Sequence, residues 1–126
     1  MRLKWLLAAA GLVLWVSMAS IAGAQAPSYP TKPVRLMVGA SAGGGTDVMA
    51  RVIGEALRGS YASTVLVENK AGASARIAVE YVKNAEPDGS VMLFTPDFPI
   101  TLYPHSFKTL SYDPLKDFTP VAPATS

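Results

Sequence analysis

The sequence contains no cysteine and only one histidine, His105. The first absence excludes structural disulfides, a lipid-anchored lipoprotein start and any thiol nucleophile. The second leaves no cluster of ligands at metal-binding spacing and no histidine to serve as the base for a nucleophilic serine. Ser41 has no other evident base, and His105 lies in a proline-flanked loop where it reads as structural or exposed. No catalytic constellation is therefore expected, and no metal or cofactor. Charge is sparse as well, at 16% of residues. Arg2 and Lys4 sit in the opening segment; without them nine basic residues face nine acidic ones, a formal net charge of zero. No basic stripe remains to suit nucleic acid, and no block of like charges reads as an interaction tail.

Tryptophan is confined to the opening segment, as Trp5 and Trp15. From Trp5 to Ala24 there is no charge, and Ala24-Gln25-Ala26 then precedes Pro27. A basic start, an apolar run and a small-x-small site describe a cleavable secretory signal, with cleavage expected after Ala26 and Ala24 as second choice. A membrane anchor is the alternative, since about 20 apolar residues just span a bilayer. The glycines and serines in the run and the processing site favour the signal. Residues 1–26 are thus expected to be a signal peptide and 27–126 the exported part.

After the proline-rich lead-in at 27–33, Val34–Val38 is a short apolar run of the kind found in buried parallel strands. A small-residue loop follows, then apolar pairs at Val48/Met49, Val52/Ile53 and Ala56/Leu57, spaced as one helical face. Thr46 or Asp47 is expected to cap this helix and Gly59 to stop it. Thr64–Val67 reads as a second strand and 68–74 as a loop. Arg76–Asn84 reads as a second helix, with Ile77, Ala78, Tyr81 and Val82 on one side. Pro87-Asp88-Gly89 makes a turn before a third strand, Val91–Thr95. Seven prolines from Pro87 to Pro123 limit regular structure beyond it, although Phe118–Ala122 suits the start of a further strand. The β-α-β-α-β order predicts an α/β fold, a parallel sheet with right-handed crossovers and covering helices. Ligands of such sheets bind beyond the carboxyl ends of the strands, here at loops 39–47, 68–75 and 95–99.

The first loop, Gly39 to Asp47, is the sharpest chemical feature. Its small residues Ser41, Ala42, Gly43, Gly44 and Gly45 let backbone N–H groups approach a ligand closely, and the loop leads into a helix N-terminus that favours an anion. Ser41 and Thr46 add hydroxyls. The plainer reading is a tight strand-to-helix turn, and the loop alone does not separate the two. A phosphate-binding P-loop is excluded because no lysine follows the glycines. A dinucleotide-binding loop is only partly matched: Val48 stands where the third glycine belongs, although Glu68 ends the second strand where a ribose-binding acid is expected. That makes an NAD- or FAD-dependent enzyme the rival reading. Within the second loop Asn69 reads as a turn residue or a ligand donor, and Arg76 as a solvated surface residue or the neutraliser of an anion.

Several stretches taken together resemble the Bug-type receptors, the extracytoplasmic solute-binding proteins of tripartite tricarboxylate transporters. They are Tyr29–Val38, Ala42–Asp47, Val65–Gly72, Ala85–Gly89, Tyr103–His105 and Leu110–Val121. Each is weak alone; the ordered series spans the chain after the signal. The resemblance implies a two-domain, type II periplasmic-binding-protein-like fold that closes on a small carboxylate and passes it to membrane subunits of the transporter, without catalysis. It implies ligand contact at Ser41, Ala42, Gly43, Gly44, Gly45, Thr46 and Asp47, at Gly72, Ala73 and Ser74, and at Thr95 and Pro96. Two departures stand out. Gly39-Ala40-Ser41 replaces the proline and aromatic usual before the glycines. Ala73-Ser74-Ala75-Arg76-Ile77-Ala78 replaces a pattern with paired glycines and an asparagine. The resemblance also makes residues 27–126 an incomplete first lobe, so a truncated product without function stands as a further alternative.

Overall fold

The computed structural model describes residues 30–124. The expected signal peptide lies outside the described residues. Three parallel strands, β1 (Val34–Val38), β2 (Val65–Asn69) and β3 (Val91–Phe94), form one sheet in the order β2-β1-β3. Val34 pairs with Val65 across one edge of β1, and Arg35 with Val91 across the other. Helix α1 (Gly45–Leu57) joins β1 to β2, and α2 (Arg76–Lys83) carries the chain back past β1 to β3. Two short turns of helix follow, α3 (Phe98–Thr101) and α4 (Tyr103–Ser106), each with a proline at its start.

Side-chain alternation assigns the two faces of the sheet. Leu36 and Val38 pack with Ala50 of α1, joined by Ile53, Val67, Met92 and Phe94. Val34 and Val65 continue that core toward Ala62 and Leu57. The alternate β1 residues, Arg35 and Met37, turn to the other face, where the Arg35 guanidinium reaches Tyr81 of α2. Met37, Ala78 and Val79 are fully buried. The first crossover runs from β1 to β2 and the second runs the opposite way, from β2 past β1 to β3, so right-handed connections place their helices on opposite faces.

Four local expectations are corrected. The helix face of α1 is rotated: Ala50 and Gly54 are buried, while Val48 and Val52 are 54% and 66% exposed. Small residues win because the helix lies close on the sheet; a Cβ on Gly54 would stand 2.9 Å from Val67 Cγ2. In α2 the buried residues are Ala78 and Val79, and Ile77 is exposed. The α1 N-cap is Gly44, with no side-chain cap, rather than Thr46 or Asp47. Phe118–Ala122 is irregular and forms no strand. That segment is anchored by aromatic contacts and ion pairs instead: Tyr112 packs edge-on to Phe118 and its buried hydroxyl donates to the Pro99 carbonyl at 2.7 Å. Burial raises the Tyr112 phenol above its ordinary pKa. Lys83 of α2 pairs with Asp117 at 3.0 Å.

Candidate functional site

Three loops leave the carboxyl edge of the sheet, and one close approach joins them. A Cβ built on Gly39, just after β1, would meet Ala75 Cβ at 2.8 Å and Thr95 Oγ1 at 3.0 Å. Glycine is required at 39 because the loops after β2 and β3 occupy the space a side chain would need. Thr95 Oγ1 is the single buried side-chain polar atom without a hydrogen-bond partner among the described residues.

The first loop is tied down by Asp47. Its residue is 3% exposed, and its carboxylate accepts from the Gly43 N–H at 2.8 Å, Arg51 Nε at 3.0 Å and Asn69 Nδ2 at 2.9 Å. The Arg51 bond first, then Gly43 and Asn69, hold its pKa down at about 2, so it is ionised at neutral pH. Asn69 also donates to the Ala40 carbonyl at 3.1 Å, linking the end of β2 to both ends of the loop. Asp47, named from sequence with the ligand-contacting residues, thus spends both oxygens inside the protein, and Asn69 is a brace rather than a simple turn residue. Gly43 takes φ +84, which the glycine permits without cost. The first backbone bond of α1 runs from Val48 N–H to the Gly44 carbonyl at 3.0 Å. The N–H groups of Gly45, Thr46 and Asp47 precede it and form the unpaired donor end of a helix, where anions are favoured. Ser41, Ala42, Gly43, Gly44 and Gly45 are exposed around that end.

The second loop is shaped by backbone strain. Gly72 has φ +127, and Ala73, Ser74 and Ala75 follow at +45, +54 and +70. These are left-handed values that cost a side-chain-bearing residue of order 1–2 kcal/mol each. Ala75 is the N-cap of α2 and is buried against Gly39, whereas Gly72, Ala73 and Ser74 are exposed. Tyr103 braces the loop from α4, its hydroxyl donating to the Ser74 carbonyl at 3.2 Å. That bond was not legible in the sequence, since 29 residues separate the partners. Its only signal was a tyrosine in a proline-rich stretch. Of the third-loop pair, Thr95 reaches the convergence and Pro96 follows it, half-buried. His105 is exposed on α4.

The acid expected to suit a ribose, Glu68, is committed elsewhere. Its two oxygens take Arg35 Nε at 2.6 Å and Nη2 at 2.7 Å, and the Arg35 bonds hold its pKa below the ordinary value. Among the described residues no group of three or more histidine, cysteine, aspartate or glutamate side chains is arranged to hold a metal, and no helix is long and apolar enough to cross a membrane.

The chain is thus a parallel α/β unit with small-residue loops gathered at the carboxyl edge of its sheet, one of them opening a helix. It superposes on the structure of a periplasmic transporter with a TM-score of 0.63 and 33% identity, over 70% of this chain and 30% of the other. Residues 49–126 match the family model of the tripartite tricarboxylate transporter family receptor, and the chain belongs to that family. A UPF0065 protein of Bordetella bronchiseptica is 38% identical over 104 residues, 82% of this chain and 31% of the relative. Protein BugT of Bordetella pertussis is 32% identical over 124 residues, 97% of this chain and 37% of its own length. The chain spans about a third of the length of the curated relatives it matches.

Proposed function

We propose that this chain supplies the first lobe of an exported receptor that binds a small carboxylate and delivers it to the membrane subunits of a tripartite transporter. The observation that carries this reading is the convergence of Gly39, Ala75 and Thr95 beside the open donor end of α1. There, backbone N–H groups of Gly45 and Thr46, with the exposed loop 41–44, offer neutral donors to a carboxylate, as helix starts commonly do. Gly72, Ala73 and Ser74 supply the facing rim. Asp47, already satisfied, holds the loop in shape without presenting free charge to an anion. The protein acts by binding alone, with residues 1–26 removed on export and the site completed by a second lobe closing on the ligand. The engagement of Glu68 by Arg35 weighs against the nucleotide reading.

Thermal unfolding of the purified protein against a panel of mono-, di- and tricarboxylates tests the reading. A true ligand at a hundredfold excess over its Kd stabilises the folded state by about 2.7 kcal/mol. A rise in Tm with one or more carboxylates is the expected result. A rise with NAD or FAD and with none of the acids would overturn the proposal.

A further inference from the structure

Four arginines fall among the described residues, and three of them pair with a carboxylate: Arg35 with Glu68 at 2.6 Å, Arg51 with Asp47 at 3.0 Å and Arg58 with Glu55 at 3.2 Å. Arg76 does not. It is nevertheless held in place from two sides. Its Nε donates to the Ala73 carbonyl at 3.0 Å, and its guanidinium lies over the Phe107 ring, 4.7 Å from the centroid. Phe107 is fixed in turn by Tyr103, edge-on at 4.9 Å, the same tyrosine that bonds the Ser74 carbonyl. The aromatic platform after β3 thus grips the second loop and its arginine together.

The placement is unfavourable without a reason. Arg76 is the first residue of α2, where a cation opposes the helix dipole. The three left-handed residues before it, Ala73, Ser74 and Ala75, set where the helix starts and so where the arginine projects. Ala75, its neighbour, touches the convergence at Gly39 and Thr95. With Nε spent on Ala73, the Nη1 and Nη2 groups carry no hydrogen bond or ion pair to any described residue. A planar guanidinium stacked on a ring with two donors left open is the geometry that takes a carboxylate by two parallel bonds.

We infer that Arg76 is a specificity-determining residue: it receives an acidic group of the ligand additional to the one held at the α1 donor end, so the protein selects acids carrying two such groups. This rests on the carboxylate-receptor reading.

The test compares binding of succinate with butyrate, and glutarate with valerate, by calorimetry on the purified protein and on its Arg76→Gln and Arg76→Lys variants. Each pair differs by a carboxylate in place of a methyl group. The expected result is that the unaltered protein prefers the diacid, that Arg76→Gln weakens the diacid about tenfold or more and leaves the monoacid unchanged, as loss of a hydrogen bond to a charged group implies, and that Arg76→Lys retains part of the preference. Far-UV circular dichroism verifies folding; should Arg76→Gln fail to fold, Arg76→Lys alone carries the comparison, because a point charge lacks the forked donors and must still reduce the preference. Monoacid and diacid bound equally, or a ratio unchanged in both variants, overturns the role of Arg76 and leaves the carboxylate reading standing. Failure of the unaltered protein to bind any of the four acids, or any other carboxylate of the panel, overturns both.

Discussion

Ser74 and Ala75 share a left-handed backbone but not an environment. Ser74 is exposed, whereas Ala75 is 3% exposed and packs against Gly39 and Thr95. Ser74→Gly therefore removes conformational cost without losing packing. The relief of about 1–2 kcal/mol is partly offset by the greater freedom of glycine in the unfolded chain, about 0.4–1 kcal/mol. Chemical denaturation should show a net gain of roughly 0.5–1 kcal/mol, and no gain would mean that the loop is not strained at this residue. Ala75→Gly forfeits its buried methyl group as well and should gain less. In the sequence this segment reads only as a small-residue loop before a helix. What it does not disclose is that the backbone keeps the glycine-like conformation, with Tyr103 and the buried Ala75 holding it there.

At the scale of elements, the strand and helix identities follow from local pattern. Short, mostly apolar runs make β1 to β3, and small-residue loops mark the carboxyl ends of β1 and β2. The faces of the helices do not follow so simply. Counting apolar residues in α1 favours the side bearing Val48 and Val52, yet the sheet takes Ala50 and Gly54. Close approach of helix to strand rewards absent side chains, a preference hydrophobic periodicity cannot register. The consequence is testable at Gly54. In an isolated helix glycine to alanine gains about 1 kcal/mol. Here the new Cβ would stand 2.9 Å from Val67 Cγ2 and 3.6 Å from Val65 Cγ1. Overpacking of this kind costs about 1–3 kcal/mol, so Gly54→Ala should destabilise in a denaturant titration despite the better helix former. A more stable variant would show that α1 is free to lift off the sheet.

For the molecule as a whole, carboxylates set the acid limit. Asp47 is lowered from 3.8 to about 2, chiefly by Arg51 and then by Gly43 and Asn69. Glu68, Asp88, Asp113 and Asp117 are lowered too, each mainly by hydrogen bonds from neighbouring side chains or backbone. A group whose folded pKa is depressed stabilises the fold above its unfolded value and loses that contribution as pH falls through the folded one. Tm should therefore hold down to about pH 4 and fall steeply toward about pH 2. Asp47→Asn should show a lower Tm at neutral pH and a shallower acid decline, as measured by scanning calorimetry across that window. Equal acid profiles for the two proteins would remove Asp47 from the account. At the alkaline end Lys32, raised above its ordinary 10.5 by Glu86 and Asp88, contributes stability that is complete below 10.5 and lost as pH rises beyond it.

The sequence by itself determined the alternation of strands and helices, the parallel α/β class, the position of the small-residue loops and the kinship to tripartite transporter receptors. All of these are carried by residues close together in the chain or by an ordered series of short motifs. Only the tertiary structure decided that Gly39, Ala75 and Thr95 meet, that Asp47 and Asn69 lock the first loop, that Glu68 belongs to Arg35, and that Tyr103 and Phe107 hold the second loop and Arg76. The reason is physical. These contacts join residues from 22 apart, Asp47 and Asn69, to 56 apart, Gly39 and Thr95, and composition and periodicity report only what neighbours along the chain prefer.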